Sequence, residues 1–99
     1  MRAGRIALPK GMTVAWYGRG QQQESRVKML GMGGLFVCGS ITLPIGTELM
    51  LVFELPGGVF QSEAVVRNIL PGEGMGVEFT KMNPRGRILL EQLLTRLLR

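Results

Sequence analysis

The sequence predicts a mainly β protein: a six-stranded antiparallel barrel with one amphipathic helix at its C-terminal end. Three observations carry this expectation. About six short strand-like runs are separated by glycine- and proline-rich turns. Pro56-Gly57-Gly58 joins two of those runs as an antiparallel hairpin would. Residues 84–98 then switch from the two-residue period of strands to leucines at helical spacing.

The first strand is expected over residues 12–17, where Thr13, Val14, Trp16 and Tyr17 favour extended backbone. Because neighbours on a strand point to opposite faces, one of Trp16 and Tyr17 belongs to the core. Gly18-Arg19-Gly20 and Gln21-Gln22-Gln23 are expected to form the following loop. A second strand spans 24–30, with Arg26 and Lys28 alternating with Val27 and Met29 as wet and dry faces. Gly31, Gly33 and Gly34 interrupt it where the chain needs positive φ, or where another backbone or a ligand comes close. Leu35, Phe36 and Val37 resume the strand through Cys38, and Leu43-Pro44-Ile45-Gly46 connects it to the next, over 48–55. The hairpin leads into a strand over 59–70, and Pro71-Gly72-Glu73-Gly74 turns the chain into the last one, over 75–80.

Asn83 is placed to cap the helix, with Pro84 at its first position. Ile88, Leu89, Leu90, Leu93, Leu94, Leu97 and Leu98 form the apolar stripe, while Arg87 and Glu91, four apart, allow a weak surface pair. The stripe is expected to cover an open end or flank of the barrel. It is also wide enough for a partner, and Leu90, Leu94, Leu97 and Leu98 are the candidate interaction surface. Residues 1–99 thus read as one domain: a flexible basic arm over 1–11, the barrel over 12–80 and the helix over 84–98.

Composition narrows the chemistry. The 99 residues contain no histidine, no aspartate and one cysteine, Cys38. Clustered Cys/His metal sites and the usual neutral-pH general base are therefore excluded, as is a disulfide within the chain. Cys38 lies in an apolar run without an activating histidine and reads as a small core hydrophobe. Seven glutamates without a plausible nucleophile make a poor enzyme, so none is expected and no cofactor is called for. The net charge of +5 points to anionic partners or to a solvated basic surface. The longest apolar run, residues 49–53, is far too short to span a membrane, and no hydrophobic signal core follows the N-terminus. The expectation is a cytoplasmic protein without membrane insertion, monomeric or homodimeric.

Two glycine patterns are weighed and set aside. The stretch Gly72-Glu73-Gly74-Met75-Gly76 precedes no helix and reads as a turn, not as a dinucleotide fingerprint, and the turn at residues 31–34 lacks the Gly-Lys-Ser/Thr ending of a P-loop. Trp16 and Tyr17 beside Arg19 invite a stacking site, but they point to opposite faces, so nucleic acid is not expected as a partner.

The order of these features resembles the PilZ domain family. Gly33-Gly34-Leu35-Phe36-Val37 after the second strand, the Pro-Gly-Gly hairpin, Gly74-Met75-Gly76-Val77-Glu78-Phe79 and the final amphipathic helix carry the resemblance, which extends over almost the whole chain. It implies a six-stranded barrel with a C-terminal helix, in a family with many bacterial receptors for cyclic di-GMP. In that family an Arg-x-x-x-Arg segment and an Asp/Asn-x-Ser-x-x-Gly turn enclose the nucleotide: guanidinium groups fork onto phosphate and guanine acceptors, and short polar side chains bond the base.

Laid on this chain, the turn motif keeps its glycine at Gly34 but has Gly31 at the serine position and Met29 at the Asp/Asn position. Arg5 stands for the second arginine, Met1 falls where the first would be, and Arg2 is one residue out of register. Each lost hydrogen bond to a charged group weakens binding by about 1.5–3 kcal/mol, so several losses together cost powers of ten in affinity. The resemblance therefore implies a non-catalytic bacterial signalling module. It is expected to act as an adaptor on another signalling, motility or biofilm protein, with weak or no direct nucleotide binding. The alternative is a direct cyclic di-GMP receptor that uses Arg2, Arg5, Arg26, Gly31, Gly33 and Gly34.

Overall fold

A computed structural model describes residues 12–55 and 57–98. Six strands, β1 (Thr13–Gly18), β2 (Gln21–Lys28), β3 (Gly34–Cys38), β4 (Glu48–Leu55), β5 (Gly58–Leu70) and β6 (Gly74–Met82), precede one helix, α1 (Gly86–Leu97). The strands close in the order β1-β2-β3-β6-β5-β4, every pair antiparallel, and the ring is completed where Ala15, Trp16 and Tyr17 of β1 meet Val52, Leu51 and Met50 of β4. The expected six-stranded barrel with a terminal helix is the observed fold. The basic arm, residues 1–11, lies outside the described residues.

Alternation along the strands fills the barrel. Val14, Trp16, Leu49, Leu51, Phe53, Phe60, Ala64 and Val66 turn inward and are buried. Phe60 stacks edge-on with Phe79 at a centroid distance of 5.3 Å and packs against Phe53 at 5.8 Å. Trp16 is the inward member of the aromatic pair, and Tyr17 is exposed. The Trp16 indole N–H donates to the Ser25 hydroxyl at 3.0 Å, so its one polar atom is satisfied.

β6 runs from Gly74 to Met82, past the expected 75–80, and three other boundaries differ from the sequence expectation for reasons the backbone shows. Gln21, Gln22 and Gln23 belong to β2 and not to a loop, because Arg19 (φ 49°) and Gly20 (φ 76°) make a two-residue hairpin turn and Gly18 pairs directly with Gln21. β2 ends at Lys28, two residues early, where Met29 takes a φ of 60° and drops Leu30 into the core. The helix begins at Gly86, with Arg85 at the N-cap position and no side-chain cap. Asn83 is engaged elsewhere: its Nδ2 donates to the Val59 carbonyl at 3.0 Å, and its Oδ1 accepts from the Gln61 amide at 3.2 Å. An asparagine spent on holding β5 is not available to cap the helix.

The helix lies against β5 and the β4–β5 hairpin. Leu90, Leu93 and Leu94 join the buried cluster, and Leu89 is buried over the turn. Arg87 and Glu91 form the expected exposed i,i+4 contact at 4.0 Å. Ile88 faces away from the barrel, 51% exposed.

Candidate functional site

The sequence places its candidate binding residues at the β2–β3 connection, and that is where the barrel is least tightly sewn. β2 and β3 share only two register pairs, Val27 with Val37 and Lys28 with Phe36. On its other edge β3 pairs with β6 along its whole length, from Gly34 opposite Glu78 to Cys38 opposite Gly74. The two-rung ladder therefore divides the region into a glycine turn on one side and, on the other, a groove where β2 and the end of β3 part company.

Within the turn, the glycines are held by the fold itself. The Gly31 amide donates to the Gly34 carbonyl at 2.9 Å, and the Gly33 carbonyl accepts from the Phe79 amide at 2.8 Å. A Cβ on Gly34 would overlap the Val77 carbonyl of β6, so this glycine is required by the approach of a third strand. Gly33 faces open space. Met29, at the position where the resemblance expects Asp or Asn, is 38% exposed with positive φ. Positive φ is a conformation in which Asn and Asp are several-fold enriched, and here it is taken by a residue with a thioether in place of a polar head.

On the far side of the ladder lies a groove of about 490 Å³, lined by Gln23, Glu24, Ser25 and Arg26 of β2, by Cys38 at the end of β3, and by Ser40 and Ile41 after it. Arg26 is exposed here, on the far side of the Val27 and Lys28 rungs from the glycine turn. Lys28 lies with its ammonium 5.3 Å from the Phe36 ring centroid, a cation–π contact on the outer face. Arg2 and Arg5 lie outside the described residues. Sequence reasoning missed Gln23, Ser25 and Ser40. Gln21 to Arg26 are polar in both strand phases, so no alternation marks which of them turn inward.

The candidate interaction surface on α1 divides. Leu90 and Leu94 are buried in the barrel core and Leu97 is partly buried against it, while Leu98 is 72% exposed. Leu90 and Leu94 therefore do not present a surface: the open flank over Phe60 and the hairpin claims them first. Cys38 is half-buried at the groove.

Among the described residues, no group of three His, Cys, Asp or Glu side chains is placed to hold a metal ion, and no helix is long and apolar enough to cross a membrane. The polar groups of the groove are hydrogen-bonding groups, one guanidinium, Arg26, and one carboxylate, Glu24.

Comparison with known proteins gives the same architecture. The chain superposes on the structure of the Bacillus subtilis inhibitor of motility MotI/DgrA with a TM-score of 0.79 at 20% identity, covering 99% of this chain and 51% of that one. It thus spans about half the length of that relative. No match is found among curated proteins. The family model for the PilZ domain matches residues 2–96, from the N-terminal arm through the last turns of α1, and with the closed barrel, the glycine turn and the terminal helix in place this chain belongs to the PilZ domain family.

Proposed function

We propose that this PilZ domain is a non-catalytic adaptor in cyclic di-GMP-linked bacterial signalling, working in the cytoplasm by contact with another signalling or motility protein and binding the nucleotide weakly or not at all. The observation that carries this reading is the β2–β3 turn. Met29 and Gly31 supply no polar side chain, and the Gly31 amide, the donor that a bare glycine nest would offer to an anion, is already bonded to Gly34. The relation to motility rests on the superposed relative, which is an inhibitor of motility.

The second reading is a direct receptor, and one observation favours it. Arg26 is exposed in a groove that also holds two serines and the Glu24 carboxylate, and its guanidinium can fork onto phosphate oxygens. Isothermal titration of the whole chain with cyclic di-GMP separates the two. The adaptor predicts no saturable heat at micromolar protein. Saturable binding that is lost in Arg5→Ala or Arg26→Ala establishes the receptor instead.

A further inference from the structure

The outer face of β1 and β4 carries a feature that the PilZ site does not use. Cross-strand pairs share a face, so the registers place Tyr17 beside Met50 and Ala15 beside Val52 on the outside of the barrel. Tyr17 is 39% exposed, and the other three are partly exposed. Four carboxylates surround this apolar strip. Glu24 of β2 pairs with Ala15, Glu63 of β5 pairs with Met50, and Glu48 and Glu54 stand before and after Met50 and Val52 on the same side of β4. A groove of about 510 Å³ opens over it between Tyr17, Val52, Glu24 and Glu54.

This distribution runs against the composition. The chain carries a net charge of +5, yet four of its seven glutamates gather around one apolar strip. Arg19 in the hairpin turn, Arg26 beyond Glu24 and Lys81 across from Glu63 stand at its corners. Among the described residues none of these cations forms an ion pair with the four carboxylates, whereas Glu78 is bonded to Arg67 and Glu91 meets Arg87. Glu24 receives only the Thr13 hydroxyl, at 3.5 Å. An apolar centre rimmed by carboxylates that form no ion pair among the described residues is a surface complementary to apolar side chains flanked by cations.

We infer that this face docks a segment of a partner protein whose apolar side chains are flanked by lysine or arginine. The inference rests on the adaptor reading and gives the adaptor its contact surface. Apolar side chains seat on Tyr17, Met50 and Val52, and cations meet Glu24, Glu54 and Glu63. Attraction at the rim is screened by salt, so association slows as ionic strength rises.

The test is an NMR titration of the full chain with a short synthetic peptide alternating lysine with leucine, against a glutamate–leucine control. The expected result is amide shifts clustered at Ala15, Tyr17, Met50 and Val52, an affinity about tenfold lower in Glu24→Gln/Glu54→Gln/Glu63→Gln, and a further loss in Tyr17→Ala. All four substituted side chains are exposed, and unchanged resonances elsewhere verify the fold. Equal binding of the control peptide, or shifts centred on α1 or on Cys38, Ser40 and Ile41, overturns the inference. Shifts at the same amides that depend on protein concentration without peptide would make a second copy the occupant. Tighter peptide binding once Arg2, Arg5 and Lys10 are changed to Gln would make residues 1–11 of the chain the occupant. A saturable nucleotide site in calorimetry would instead defeat the adaptor reading, so the two failures are told apart.

Discussion

Both the β2–β3 connection and the β4–β5 hairpin are rich in glycine, yet the strands they join behave differently. β4 and β5 pair from Leu55 opposite Gly58 through Glu48 opposite Val65, an unbroken ladder beginning at the turn itself. β2 and β3 hold for two pairs and then diverge into a groove. In the hairpin, glycine supplies a backbone angle, since Gly58 takes a φ of 145°. At the β2–β3 connection the essential glycine, Gly34, has no such angle and serves to admit β6. Similar composition thus marks a reversal of direction in one place and the meeting of three strands in the other.

The largest test of that difference is Gly34→Ala set against Gly33→Ala. The first must push β3 away from Val77 and is expected to destabilise the fold by about 3 kcal/mol or more, and the second, facing open space, should change stability by less than about 0.5 kcal/mol. Urea denaturation followed by Trp16 fluorescence measures both, and equal losses would erase the distinction. Next in size is Gly58→Ala, where the strain of a positive φ should cost about 1–3 kcal/mol although its space is only loosely filled by Leu89. A neutral result there would mean that the hairpin does not depend on its backbone angle. The smallest effect is a gain: Met29→Asn should stabilise by about 0.5–1 kcal/mol, because asparagine tolerates the φ of 60° better than methionine does. If the denaturation midpoint does not rise, that angle is not a source of strain.

Much of the architecture was legible because strands and turns write themselves locally. Val14 and Trp16, Leu49 and Leu51, and Phe60 and Ala64 keep period two, and Pro56-Gly57-Gly58 and the glycines at 72 and 74 stand where the chain reverses. What escaped was decided by an unmarked turn or by contacts distant in sequence. Gln21 to Gln23 have no strand signature, and they are drawn into the sheet by a turn whose geometry rests on Arg19 as well as Gly20. Asn83 has the chemistry of a cap and the position of one, but β5 competes for its side chain. The need for glycine at 34 could not be seen from residues 31–34, because the atom that forbids a side chain belongs to Val77. The acidic rim was equally hidden: Glu24, Glu54 and Glu63 are scattered along the chain, and only the β1–β2, β1–β4 and β4–β5 registers gather them.

Asn83 has a mechanical consequence. Its backbone amide donates to the Gln61 carbonyl, its side chain grips the Gln61 amide and the Val59 carbonyl, and its own carbonyl receives the amide of Gly86, where α1 begins. One residue is therefore both the final rung of the sheet and the anchor of the helix. Gln61 is the cross-strand partner of Val52, in the middle of the acid-rimmed face. The acid-rimmed face and the root of the helix are therefore joined, through Gln61, by the hydrogen bonds of a single asparagine.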